Sequence, residues 1–437
     1  MDHADTLIAA RWIVPIEPKG VVLEHHAIAI RDGRIVAIEP HERALQRFTA
    51  ARLVSRPTHV VLPGFVNAHT HGAMTLLRGA AESGRFDHWL KQQVWPLEQR
   101  WLDAEYVRDG TELAIADMIT SGTTCFADMH LYPEVVAQTA ADAKIRACIA
   151  SPIVDFATAW AGTTDEHIEK GLRLHDEYRN DPLITTMLAP YAPWAVSDAT
   201  LSRVQRLADE LESPVAMHVN ESASDNEPGA ERALERLDRL GLLSPLLTAI
   251  HMVHVTDDDL ERAARSGINI VHCPQSNLKL GNGIARVSAF RKHGLNVALG
   301  TDGAASNNDL SMLDELRTAA LLATGTPRDA GTVMNAHDWL EIATLNGARA
   351  LCLGDQIGSL VPGKWADLCC IDLRRPHTQP VHDVAAQLIY AASRDQVTDA
   401  WVAGRALLDE GTLTQIDSAD VVRRAQLWQT RISGSNS

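Results

Sequence analysis

Between residues 60 and 300 the chain repeats one pattern eight times: a short apolar run, then a longer stretch with helical spacing. The runs lie at 60–66, 123–127, 147–153, 184–189, 215–217, 247–250, 268–271 and 297–299. Between the runs, apolar residues recur at helix period; Leu201, Val204, Leu207, Ala208 and Leu211 share one face. Eight strands alternating with helices predict an α/β fold, a parallel (β/α)8 barrel. Such a barrel carries its functional groups at the C-terminal ends of its strands.

The two ends of the chain have a different texture. Residues 1–60 alternate apolar and polar positions over short runs, and Asp32-Gly33 is a hairpin-turn signal between Ala29-Ile30 and Ile35-Val36. The tail repeats this texture, as in Ala366-Asp367-Leu368-Cys369-Cys370-Ile371 and Val397-Thr398-Asp399-Ala400-Trp401. Residues 1–60 and 351–437 are therefore expected to build one small β-sandwich domain around a barrel at 61–350. Residues 432–437 are expected to be a loose tail.

Charge and composition exclude several roles. The 437 residues hold 40 Lys+Arg against 56 Asp+Glu, a formal charge of −16. That balance disfavours nucleic acid as a partner. No apolar run approaches the length of a membrane span, and the first residues lack the basic start and apolar core of a signal peptide. The six cysteines form no C-x-x-C pair, so Cys125, Cys148 and Cys273 are expected as buried free thiols. A cytoplasmic protein, with homo-oligomerisation left open, fits these features.

The chemistry-bearing residues fall where the expected strands end. The first run leads into His69 and His71, and residues at i and i+2 of an extended chain point to the same side. The fifth run ends at His218, with Glu221 three residues on; the sixth ends at His251; the eighth leads through Gly300 and Thr301 to Asp302. Three imidazoles and a carboxylate suit a borderline divalent ion such as Zn²⁺. Buried without a cation, such a cluster is costly.

Four segments carry a resemblance. They are Pro63-Gly64-Phe65-Val66-Asn67-Ala68-His69-Thr70-His71, His218-Val219-Asn220-Glu221, His272-Cys273-Pro274-Gln275-Ser276-Asn277-Leu278-Lys279-Leu280, and Gly300-Thr301-Asp302-Gly303-Ala304-Ala305-Ser306-Asn307-Asn308. Together they resemble the amidohydrolase superfamily, and within it the methylthioadenosine/S-adenosylhomocysteine deaminases and related chlorotriazine hydrolases. The resemblance implies hydrolytic deamination of an adenosine-type nucleoside, with the nucleoside and water as small-molecule partners. It implies His69, His71, His218 and Asp302 as ligands of a divalent ion, zinc first and Fe²⁺ as the alternative. Glu221 matches the family's proton-shuttling glutamate, and His251 the histidine that orients the attacking water; Asp302 would also accept a proton. Two-metal members use a carboxylated lysine at the end of strand four, where this chain has Pro190-Tyr191, so one ion is expected.

The substrate pocket follows less directly. Trp95-Pro96-Leu97-Glu98 resembles the segment whose glutamate contacts ribose hydroxyls in nucleoside-specific members, and a carboxylate can accept both hydroxyls of a diol. The blander reading of Glu98 is a solvated helix residue. His218 is expected to face the substrate as well as the ion. Tyr191 stands where many relatives carry a histidine that contacts the substrate, and Trp194 where they carry tyrosine; the Tyr191 phenol is still expected to reach the substrate as a hydrogen-bond partner. Trp95 and Trp194 are candidates for an apolar slot, or plain core. His254 is read as a bystander and His272 as a loop-holding residue. Two other readings compete: the same chemistry on guanine, a pterin or a triazine, and a non-catalytic barrel scaffold.

Overall fold

The structure, a computed structural model, describes residues 1–82, 84–225, 229, 231–325 and 334–434. Its eight parallel strands follow chain order around one sheet. They are β1 (Phe65–Thr70), β2 (Thr123–Asp128), β3 (Arg146–Ile153), β4 (Ile184–Pro190), β5 (Val215–Val219), β6 (Leu247–His251), β7 (Asn269–His272) and β8 (Asn296–Leu299).

Alternation along the strands divides the barrel into two layers of apolar residues. Val66, Ala68, Cys125, Ala127, Cys148, Ala150, Ala189, Ala216 and Ala298 form an inner cluster, small enough for a narrow interior. Phe65, Phe126, Ile149, Leu188 and Met217 belong to the larger cluster shared with the surrounding helices. Cys125, Cys148 and Cys273 are free and buried, as expected.

The ring closes between β8 and β1. The Asp302 N–H donates to the His69 carbonyl at 3.1 Å. The Asn67 side chain accepts from the Thr301 N–H at 3.0 Å and donates to the Thr301 hydroxyl at 2.7 Å. A Cβ on Gly300 would sit 2.9 Å from the backbone N and O of His69, so only glycine allows the two strands this approach.

The chain ends build a second eight-stranded sheet. Strand Phe48–Pro63 pairs antiparallel with Leu368–Asp372 and so joins the two ends of the chain. Strands Leu23–Arg31 and Arg34–Pro40 form the expected hairpin, with Asp32 and Gly33 both at positive φ (52° and 74°). The two layers expected of a sandwich come from one continuous sheet. It curls over Ile8, Ile28, Ile30, Val61, Cys370 and Trp401, and the Gly33 turn returns to pack against Ala403.

Two local expectations are corrected. The run 60–66 is not one strand: residues up to Pro63 belong to the end sheet, and the barrel strand starts at Phe65. Gly64 makes the crossing, where a Cβ would lie 2.0 Å from the Thr124 hydroxyl. The expected tail begins too early, because Ile432 is buried and, with Ser433, closes helix Ser418–Ser433; Ser435, Asn436 and Ser437 lie outside the described residues. Among the described residues no helix is long and apolar enough to cross a membrane.

The end sheet meets the barrel at the strand starts. Arg146, the first residue of β3, pairs with Asp367 at 2.7 Å, and both side chains are almost fully buried. Asp367 also accepts from the Ala403 N–H at 2.7 Å. The opposite mouth, at the strand ends, is left for the chemistry.

Candidate metal centre

His69 lies within β1 and His71 one residue past its end, so the extended chain aims both rings to one side. His218 comes in from β5. One ring nitrogen from each of His69, His71 and His218 lies within 4.8 Å of the others, and all three residues are buried. The Nε2 atoms of His69 and His218 are 3.3 Å apart. Asp302 Oδ1 is 3.5 Å from His69 Nε2 and 3.4 Å from His71 Nε2.

The surroundings set how these groups present themselves. His71 Nδ1 hydrogen-bonds the Met129 carbonyl at 2.5 Å, and His218 Nδ1 the Tyr191 carbonyl at 2.8 Å. A ring nitrogen facing a carbonyl must donate, so in the neutral ring each Nε2 keeps its lone pair for the centre. Burial and neighbouring imidazoles push His71 down to about 3, and His218 well below its ordinary value. Burial alone would raise Asp302, but hydrogen bonding and charge from the histidines outweigh it and hold the carboxyl low. Asp302 Oδ2 accepts from Ser276 (2.6 Å) and Ser306 (2.9 Å), and Oδ1 from the Gly303 N–H (2.8 Å). Neutral nitrogen donors around an anionic oxygen fit a divalent cation, which supplies the positive charge the cluster lacks.

His251 and Glu221 stand beside this cluster. The His251 ring is 6.0 Å from that of His69 and 5.5 Å from that of His218. Its Nε2 lies 3.6 Å from Glu221 Oε1, and its Nδ1 hydrogen-bonds Asn277 Oδ1 at 3.0 Å. Burial pushes His251 down to about 4. Burial first, then the charges of Asp302 and Asp225, push Glu221 well above the ordinary carboxylate range. A buried carboxyl whose pKa is raised in this way is suited to donating a proton.

Comparison with known proteins gives the family. A model of the amidohydrolase family matches residues 60–407. The chain belongs to the amidohydrolase family. It is similar to a 5-methylthioadenosine/S-adenosylhomocysteine deaminase from Teredinibacter turnerae, 43% identical over 432 residues and covering 98% of each chain. A zinc-bound adenosine deaminase from Xanthomonas campestris superposes with a TM-score of 0.97 at 47% identity, over 99% of both chains. Atrazine chlorohydrolase TrzN from Arthrobacter aurescens superposes with a TM-score of 0.89, over 97% of this chain and 99% of its own; at 22% identity the likeness is one of fold. This amidohydrolase is a hydrolytic enzyme of the aminohydrolase kind, in a metal-dependent family.

Around the amidohydrolase centre the structure places the remaining expected residues unevenly. Glu98, on helix Trp95–Trp101, is mostly buried rather than solvated, and its Oε1 is 3.2 Å from His130 Nε2. Tyr191 follows β4; its ring packs 4.8 Å from that of His218 and 5.7 Å from that of Trp194. Burial, with the charges of Glu221, Glu98 and Asp302, pushes the Tyr191 phenol up. Trp194 is half exposed, whereas Trp95 packs against the main core. Among the described residues no ring contact joins these two tryptophans. His254 hydrogen-bonds the Asn282 carbonyl at 2.7 Å, and His272 is fully buried, with burial the main cause of its drop to about 3.

Sequence reasoning missed His130. It sits two residues past β2 and is buried; burial opposes its protonation, but the Glu98 hydrogen bond and the charges of Glu98 and Asp128 outweigh this and raise it. The signal was available, because His130 follows an apolar run just as His71 does. Ser276, Asn277 and Ser306 stand inside two of the segments that carry the resemblance but received no role there, and Asn282 lies outside all four; only the fold shows what they touch.

Proposed function

We propose that this enzyme hydrolyses the exocyclic amino group from an adenosine-type nucleoside, taking 5′-methylthioadenosine and S-adenosylhomocysteine to the inosine analogue and ammonia. The observation that carries this reading is Glu221: a buried carboxyl, raised well above its ordinary range, 3.6 Å from His251 and beside the three-imidazole cluster. An aromatic amidine resists attack unless a ring nitrogen is protonated, and such a carboxyl is the group for that task. The full-length relatives carrying the deaminase name support the substrate class.

His69, His71, His218 and Asp302 would hold a single divalent ion, zinc in this proposal. Bound there, it lowers the pKa of water to about 7. The remaining work falls to side chains. Asp302 takes a proton from the attacking water, its carboxylate held in place by the Gly303 N–H on Oδ1 and by Ser276 and Ser306 on Oδ2. His251 orients the water from the other side. Glu221 gives its proton to the ring nitrogen as the C6–O bond forms. When the C6–N6 bond breaks, the amino group takes the proton held by Asp302 and leaves as ammonia; the ring nitrogen keeps its proton, and the C6 hydroxyl proton passes to Glu221, which restores the starting carboxyl. Glu98 would accept the ribose hydroxyls, with one oxygen steadied by His130. Tyr191, Trp194 and Trp95 would border the base and the 5′ substituent.

Ammonia release and the ultraviolet change from adenine to hypoxanthine test the reading on adenosine, methylthioadenosine, S-adenosylhomocysteine, guanine and a chlorotriazine. The expected result is one ammonia per nucleoside, fastest with the 5′-thio compounds. Turnover of guanine or the triazine with none of the nucleosides would overturn it. Elemental analysis should give one zinc per chain; two firmly held ions would refute the single-ion site.

A further inference from the structure

The segment 274–283, which follows β7, reaches all three proton-handling groups of the site. It begins as helix Pro274–Lys279 and ends in a turn at Gly281, at φ +68°. Ser276 donates to Asp302 Oδ2 at 2.6 Å, Asn277 Oδ1 hydrogen-bonds His251 Nδ1 at 3.0 Å, and Asn282 Nδ2 donates to Glu221 Oε1 at 3.1 Å. All three side chains are buried. The segment is itself fastened. The Asn282 N–H donates to the Asn277 carbonyl at 2.8 Å, His254 holds the Asn282 carbonyl at 2.7 Å, and the Gln275 N–H donates to the buried Glu315 at 3.3 Å.

We propose that Asn282 is a positioning residue for the proton shuttle: it makes Glu221 Oε1 the accepting oxygen and thereby sends the shuttled proton to Oε2. The proposal rests on the reading of Glu221 as the shuttle. A carboxyl carries its proton on one oxygen. Oε1 already accepts the Asn282 amide N–H, and it faces His251 Nε2. Asn277 Oδ1 accepts the His251 Nδ1 proton, so in the neutral ring Nε2 is unprotonated, and at 3.6 Å it lies beyond hydrogen-bond distance of Oε1. The Asn282 amide bonds Oε1 at 3.1 Å and favours it as the carbonyl oxygen. The proton taken up by Glu221 therefore resides on Oε2 and leaves from there to the ring nitrogen. Without the amide the two oxygens become alternatives, and part of the population holds its proton facing away from the substrate.

Asn282→Leu is the sharpest variant, because it keeps the shape and removes the donor without adding charge; Asn282→Ala makes the same test by truncation. In either, kcat should fall about ten- to a hundredfold, the worth of one hydrogen bond to an ionisable group. KM and metal content should hold. Asn282→Gln, which restores a donor, should recover part of kcat. Placed on Glu221→Gln, the Asn282→Ala change should cost nothing further, because two residues acting through one proton are not additive. Infrared difference spectra supply a readout apart from turnover. The carboxyl C=O band that Glu221→Gln abolishes should move to higher wavenumber in Asn282→Ala, as its oxygen loses a hydrogen bond. An inactive Glu221→Gln with unchanged kcat in both Asn282 variants, or an unmoved band, would overturn the positioning role and leave the shuttle standing. Wild-type turnover by Glu221→Gln would overturn the shuttle itself, and this proposal with it.

Discussion

The two ends of the barrel each bury a cluster of charge, and the clusters are opposites. At the strand starts, Arg146 meets Asp367 with side chains 2% and 1% exposed. Two hydrogen bonds join them, and the Pro182 carbonyl and the Ala403 N–H take up remaining capacity. That cluster is complete within the chain. At the strand ends, His69, His71, His218 and Asp302 are about as deeply buried. There, three imidazoles and a carboxylate oxygen face one another with no Lys or Arg side chain among the four. Equal burial with unequal compensation is the lesson: a cluster that neutralises itself holds structure together, and one that needs an outside cation marks the working end.

The largest effect should come from the incomplete cluster. His69→Ala should lose metal and activity together, measured by elemental analysis and ammonia release. A variant that kept full metal and turnover would break the comparison. Next comes the complete cluster. Arg146→Met leaves Asp367 buried and unpaired, and should cost about 3–5 kcal/mol of stability in denaturant unfolding. Its metal content and kcat at low temperature should hold. The double change Arg146→Met with Asp367→Leu should regain much of that loss, which separates a structural pair from a functional one.

Smaller effects are expected between the poles. Glu98→Ala should lower kcat/KM for ribonucleosides roughly ten- to a hundredfold, and much less for a 2′,3′-dideoxy analogue. Equal losses on both would make the Glu98–His130 pair structural, like Arg146–Asp367. Tyr191→Phe should raise KM a few-fold at most, with less change in kcat. Burial and the nearby carboxylates keep the phenol protonated above its ordinary range, so position 191 contributes no neutral-range ionisation. Tyr191→His should introduce one into the pH profile of kcat/KM; an unchanged profile would place that side chain outside the substrate's reach.

Much of this was legible from local patterns. The eight apolar runs announced the barrel because a strand buried on both faces is apolar throughout. The Asp32-Gly33 turn was readable because a two-residue hairpin demands two positive φ values. His69 and His71 declared themselves because the two-residue strand repeat sets side-chain direction without any partner. The failures were of another kind. The run 60–66 looked uniform, yet it serves two sheets, and the division at Gly64 depends on Thr124, a neighbour brought there only by β2.

By itself, then, the sequence determined whatever the backbone repeat controls: the number and order of the barrel strands and the shared direction of His69 and His71. Tertiary structure alone decided the partnerships. Asp367 reaches Arg146 across 221 residues, Asn282 reaches Glu221 across 61, and Glu98 reaches His130 across 32. The reason is geometric. Which side chain a polar group meets is set by register and ring closure, where Gly300 lets Asp302 approach His69, and neither is written in the spacing of residues along the chain.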